Sequence, residues 1–251
     1  MKGEFVRLER AGHIRHLILD VPTRRNALDV PMLREIAEAV QVVAADEAAR
    51  VLIVSGEGKA FCAGADIHSL FGDPTRPPHE IRADLKRVYA SFLGLLDLQI
   101  PTIAAVDGAA VGAGVNIALA CDVVVAGPRA KFGITFADIG LHPGGGCSWF
   151  LARRMGYPRA MAAVLGAETL DAPSAFSAGL VSECADDAKA RALELAERYA
   201  DRDPDLVKNM KRAVQIASQS DLTTTLDFES WAQASSVTQP KFGEFMASFG
   251  R

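Results

Sequence analysis

Hydrophobic positions along the chain follow two rhythms. Residues 5–9 and 14–21 are strand-like runs separated by Ala11-Gly12, a spacing that predicts an opening hairpin. Residues 51–54, 102–106 and 123–126 are short and wholly apolar or nearly so, the pattern of strands buried on both faces. Elsewhere the period lengthens. Leu33, Ile36, Ala37 and Val40 fall at i, i+3, i+4 and i+7, with Asp29 as helix cap and Pro31 in the first turn. Ile81, Leu85, Val88, Phe92 and Leu96 mark a second helix. The approach to it, residues 72–79, holds Pro74, Pro77 and Pro78, which remove donors and restrict their neighbours, so a mobile surface loop is expected. Beyond about Ala126 helical signals take over, including residues 186–200 and 204–217, the latter with Leu206, Met210, Val214 and Ala217 as its apolar stripe. Alternating strands and helices followed by a helical C-terminal third predict an α/β fold with an appended helical region. No repeat of fixed period is visible.

Composition narrows the function more than the fold. Of 251 residues, 49% are hydrophobic and 23% charged, which excludes a disordered chain. The net charge is 27 minus 31, or −4, arguing against a surface built for nucleic acid while leaving room for a local basic patch facing a phosphorylated ligand. Cys62, Cys121, Cys147 and Cys184 stand far apart with no C-x-x-C, so neither a disulfide framework nor a structural zinc site is expected. The first residues lack the apolar core of a signal peptide, and no run reaches the ~18 apolar residues of a membrane helix. A cytoplasmic location and no membrane partner are the expectation.

Several chemistries fail on their motifs. There is no P-loop, no complete G-x-G-x-x-G, no H-E-x-x-H and no G-x-S-x-G. Cys62 reads better as a buried thiol than as a nucleophile. Two glycine-bearing turns carry more. Gly56-Glu-Gly-Lys-Ala-Phe-Cys-Ala-Gly-Ala-Asp66 leaves the first buried strand, and Asp107-Gly-Ala-Ala-Val-Gly-Ala-Gly-Val-Asn116 leaves the second and opens an apolar helix. Glycine lets backbone approach a ligand closely, and a helix start near Gly112 presents free N–H groups and a positive dipole end. Two such turns can supply two donors to one oxygen, the physics of an oxyanion hole, or can simply pack helix against sheet.

Those motifs, together with Arg24-Arg-Asn-Ala-Leu28, Cys121-Asp122 and Ile139-Gly-Leu-His-Pro-Gly-Gly-Gly146, make the chain resemble the crotonase (enoyl-CoA hydratase/isomerase) superfamily. The resemblance covers nearly the whole chain. It implies a crotonase-like spiral of ββα units over residues 1–195 and a C-terminal helical trimerisation region over 196–251 of the same fold. It also implies a homotrimer or homohexamer that takes an acyl-CoA thioester, with no metal and no separate cofactor, because coenzyme A enters with the substrate. By position, the backbone N–H groups of Ala65 and Ala113 would hold the thioester oxygen as it becomes an enolate. Ala27, Ala63, Asp66 and Ile67 would line the coenzyme A end, mostly through backbone. Arg25 and His68, and more weakly Lys241, stand where the family places basic residues near the phosphates; each reads equally as a solvated side chain.

The same resemblance exposes a departure. Hydratases of this family use two Glu side chains to hold and ionise water. Here those positions fall on Asn116 and Phe136. Neither accepts a proton at neutral pH, and each positioned acid or base is worth roughly ~10²–10⁴ in rate. Asn116 is the only polar side chain between Ala109 and Cys121, and either ties down backbone or orients a ligand group. Asp138 would face the site if its segment is extended and turn away if it is helical. His142 offers a side chain that changes charge readily, or a packing group. Three activities remain open: a hydratase or isomerase acting through an enolate, a non-catalytic acyl-CoA binding or carrier protein, and a thioester hydrolase.

Overall fold

In the computed structural model, which describes residues 3–73 and 75–249, the apolar runs become strands of one sheet. Strands β1 (Val6–Ala11) and β2 (Ile14–Leu19) form the expected antiparallel hairpin. Helix α1 (Val30–Ala44) follows, capped by the Asp29 carboxylate, which accepts from Met32 N–H at 2.9 Å. Strand β3 (Val51–Gly56) then lies parallel to β2.

What the hydrophobic pattern missed is a second, smaller sheet. Each glycine-bearing turn contains a three-residue strand. β4 (Ala60–Cys62) follows β3, with α2 (Ile67–Phe71) and α3 (Pro78–Leu93) after it. β5 (Thr102–Val106) leads to β6 (Ala109–Val111) and α4 (Ala113–Ala120). β7 (Val123–Ala126) leads to β8 (Lys131–Gly133) and then to α5 (Cys147–Met155) and α6 (Tyr157–Leu165). β9 (Thr169–Asp171), α7 (Ala172–Ser177) and β10 (Glu183–Cys184) complete the two sheets. One sheet has the order β1-β2-β3-β5-β7-β10, the other β4-β6-β8-β9. The chain thus repeats a strand in the large sheet, a strand in the small sheet and a helix, three times over, which is the spiral the family resemblance implied. Three-residue strands are too short to show a period, so the repeat is visible only in the sheets.

The core lies between the small sheet, the large sheet and α1 and α4, where Phe61, Phe92, Phe132 and Phe150 are fully buried. On the other face of the large sheet, α8 (Ala188–Ala200) buries Ala192, Leu195 and Ala196 against Ile53, Ile103 and Val125. Residue 195, where the core was expected to end, therefore lies inside this helix.

The chain ends in α9 (Pro204–Ala217), α10 (Leu222–Val237) and α11 (Pro240–Phe249). The apolar stripe read on α9 is not buried by its own chain. Met210 and Val214 are 53% and 71% exposed, because α9 rests on the body at few points. One of these is Lys211, which donates to Ile100 O at 2.9 Å and to the Asp122 carboxylate at 2.7 Å. The same carboxylate oxygen accepts from Thr102 N–H, so Cys121-Asp122 ties strand, helix and tail together. No helix among the described residues is long and apolar enough to cross a membrane.

Candidate active site

A cavity of about 440 Å³ lies between the start of α4, the loop around Ala65, the inner face of α3 and the segment 135–145. Its first wall is backbone. Asn26, buried and with φ +56°, donates through Nδ2 to Ala60 O at 2.9 Å and Phe61 O at 3.1 Å, pinning the Arg24–Leu28 motif to β4. Leu28 then pairs with the loop: its N–H donates to Gly64 O at 2.8 Å, and its carbonyl accepts from Asp66 N–H at 2.9 Å. Successive groups of an extended backbone face opposite sides, so the intervening Ala65 N–H points away from Leu28.

On that side stands the start of α4. Gly64, at φ +90°, allows the approach: a Cβ there would lie 2.5 Å from Val111 O and 3.7 Å from Ala113 N. Ala113 is the first residue of its helix, so its N–H has no partner one turn back. Neither the Ala65 nor the Ala113 amide has an acceptor among the described residues, and both residues line the cavity.

The facing walls are side chains. Leu85, Val88 and Tyr89 of α3 line the cavity, with Phe92 behind them. Asn116 also lines it and is 1% exposed; its Nδ2 donates to Gly144 O at 2.8 Å, while Oδ1 is buried without a partner among the described residues. Phe136 packs its ring on Gly112, with Cζ 3.5 Å from where a Cβ of residue 112 would be. Hence Asn116 and Phe136 both line the cavity together with Ala113.

His142 lines the cavity from an exposed position, with Nδ1 2.7 Å from Pro143 O. A carbonyl only accepts, so Nδ1 carries the hydrogen and Nε2 of the neutral ring keeps its lone pair. Tyr89 was not foreseen. Burial raises its phenol above the usual value, with the Gly145 backbone N–H pulling the other way. The run Gly144–Gly146 now has a reason: a Cβ on Gly144 would meet Tyr89 Oη at 2.3 Å, and one on Gly145 would meet Asn116 Nδ2 at 2.7 Å. The signal for Tyr89 was present in the sequence as a polar-tipped aromatic flanking the α3 stripe, and the glycine run marked what it presses on.

The remaining expected residues separate into two groups. Ala63 and Ile67 line the cavity with Ala65, Ala113, Asn116 and His142. Arg25 and Ala27 lie behind Ala63, whose N–H donates to Arg25 O, and neither reaches the cavity. The Asp66 carboxylate is engaged in capping α2 through Ser69 N–H at 2.9 Å, and exposed His68 lines a neighbouring groove. Lys241 sits exposed on α11. Asp138 requires a correction. Residues Ala137–Ile139 form a 3-10 turn, so Asp138 faces solvent and is not among the residues that line the cavity. Cys62 is buried behind the Ala65 loop, its thiol donates to Asn26 O, and burial pushes it up to about 12, which leaves no thiolate for catalysis.

The described lining contains no Asp, Glu, Lys or Arg; its titratable side chains are Tyr89 and His142. The site is thus apolar, with two free amide donors at one wall and two polar-tipped rings at the other. Known proteins are similar to this chain along most of its length. The "Probable enoyl-CoA hydratase EchA14" of Mycobacterium tuberculosis is 40% identical over 247 residues, covering 94% of this chain and 93% of its own. The 1,2-epoxyphenylacetyl-CoA isomerase of Escherichia coli is 34% identical over 229 residues, covering 90% and 87%. The structure of an enoyl-CoA hydratase from Bacillus anthracis superposes with a TM-score of 0.90 at 27% identity, over 98% of this chain and 96% of that one. The sequence profile of the enoyl-CoA hydratase/isomerase family matches residues 9–250, and the chain belongs to that family.

Proposed function

We propose that this chain binds an acyl-CoA thioester and stabilises its enolate, with the Ala65 and Ala113 N–H groups as the oxyanion hole, and that it does not hydrate by a two-carboxylate route. The observation that carries this reading is the pairing of two unfilled amide donors with a cavity whose described lining has no carboxylate. The α4 dipole adds to the donors, and their preorganisation is worth roughly ~10²–10³ in rate for each. His142 Nε2 is the base within the cavity. From a 3-enoyl thioester it takes a proton from C2; the C–H pair becomes the C1=C2 bond as the carbonyl π pair moves onto the oxygen, and when that pair returns the C3=C4 bond shifts to C2=C3 and the same proton is delivered to C4. Such a cycle is an isomerisation, consumes nothing and needs no separate cofactor.

Asn116 and Phe136, at the positions where hydratases carry Glu, favour a second reading, a binding or carrier protein on the same fold. Calorimetry with a panel of acyl-CoAs, beside the absorbance change of crotonyl-CoA and 3-enoyl-CoAs, separates the two. The enzyme reading expects isomerisation of a 3-enoyl-CoA with little hydration of crotonyl-CoA. Micromolar binding without turnover of either would leave the carrier, and no binding of any acyl-CoA would remove both.

Met210, Val214, Leu226 and Trp231 stay exposed on α9 and α10. Apolar surface of this extent supports the homotrimer or homohexamer implied by the family, which sedimentation velocity would read directly. The same reading assigns a cytoplasmic location, where thiols stay reduced.

A further inference from the structure

A second groove adjoins the apolar cavity at Leu85 and Tyr89. This groove, of about 500 Å³, runs along α3, and its other walls are Arg76, Pro78, Ile81, Arg82 and Lys86. Three cations and no carboxylate line it, on a chain whose net charge is −4.

The cations are not equivalent. Arg76 is held by Asp84 at 2.8 Å and Glu80 at 3.5 Å, and Arg87 by Asp84, so the acidic flank of α3 is already neutralised. Arg82 and Lys86 have no ion-pair partner among the described residues. Residues 82, 85, 86 and 89 fall at i, i+3, i+4 and i+7, so the two free cations share one helix face with the two residues that border the cavity. Beyond the apolar space, therefore, stands unneutralised positive charge. Three residues of helix rise about 4.5 Å, so Lys86 lies within a few carbon–carbon bonds of Tyr89.

We infer that the groove on α3 reads an anionic group at the far end of the acyl chain: the preferred ligand is a thioester with an apolar middle and a distal carboxylate, which Arg82 and Lys86 receive. This rests on the acyl-CoA reading above and deepens it. A simple fatty acyl tail would leave the two exposed cations to solvent, without a partner in the ligand. The phosphates of coenzyme A itself are the other source of negative charge, and the experiment distinguishes the two.

Calorimetry at low salt would compare adipoyl-CoA with hexanoyl-CoA, which match in chain length and differ in a terminal carboxylate, and with free coenzyme A. The wild-type protein and an Arg82→Gln, Lys86→Gln variant would both be measured; both side chains are exposed, so the helix survives their loss. Adipoyl-CoA should bind the wild type about tenfold more tightly than hexanoyl-CoA, a preference that 0.5 M salt and the double variant each erase. Hexanoyl-CoA and free coenzyme A should be unaffected by the variant. Equal binding of the two thioesters by the wild type would overturn the inference alone. An equal weakening of all three ligands in the variant would assign the groove to the phosphates and overturn it too. Failure of every thioester to bind would remove the acyl-CoA reading along with it.

Discussion

The two ends of the cavity are made of different materials. At one end the polar groups are backbone, two amides presented by a pinned loop and a helix start. At the other the wall is made of side chains, Asn116, Phe136, Tyr89 and His142. Backbone donors depend on the fold and tolerate almost any small residue at Ala65 and Ala113. Side chains change the reaction with single substitutions while the fold stands. On the proposed reading, the oxyanion hole can thus be kept while what happens to the enolate is altered by the side chains at the other end.

The comparison breaks most visibly if the side-chain end is converted. An Asn116→Glu, Phe136→Glu variant should hydrate crotonyl-CoA about 10²–10⁴-fold faster than the wild type, read as loss of enoyl absorbance. Both carboxyls would enter apolar surroundings that raise their pKa, so the gain should grow as pH rises and the base ionises. No gain in a variant that still folds would mean that these positions do not face the reacting double bond.

His142→Gln tests the proposed base without touching the other end. Isomerisation of a 3-enoyl-CoA should fall by about 10²–10⁴, while calorimetric affinity for the thioester stays close to that of the wild type. Unchanged turnover would move the proton transfer elsewhere.

Gly64→Ala attacks the backbone end. A Cβ there would lie 2.5 Å from Val111 O at φ +90°, so the loop must withdraw from α4 and the two amides separate. Turnover should fall about 10²–10³-fold, the worth of one donor. Thermal unfolding should show a loss of about 1–3 kcal/mol from the strained backbone. A folded Gly64→Ala protein with full activity would show that the two N–H groups do not act together.

The same division explains what was legible beforehand. The large-sheet strands announced themselves because wholly apolar runs have few other places to go, and Asp29 and Pro31 marked α1 by chemistry that acts locally. The small sheet did not, because β4, β6 and β8 are three residues each and their glycine-flanked sequences look like turns. The backbone end of the site was readable from Gly64 and Gly112, since glycine at a strand end signals close approach. The side-chain end was readable only where the family resemblance supplied a position, as for Asn116 and Phe136. Tyr89 escaped because its partners, Gly144 and Gly145, lie more than fifty residues along the chain, and no local pattern links them. The α9 stripe was legible as a stripe, but amphipathic spacing reports a face to be covered, not whether its own chain covers it.

The smallest expected effect belongs to Asp138→Asn, and it sharpens the assignment to His142. A 3-10 turn has three residues per turn, so positions i and i+3 eclipse. Phe136 and Ile139 both line the cavity and bracket the turn, and Ile139 N–H donates to Phe136 O at 3.3 Å. That geometry spends the inward direction on the two apolar residues and turns Asp138 outward. Its carboxylate then has no route to a substrate proton, and its neutralisation should change turnover by less than about twofold, in line with surface substitutions in general. A drop of 10²-fold or more would require the turn to unwind in the working enzyme, bringing the carboxylate to the face that Phe136 now occupies, and would make Asp138 rather than His142 the base.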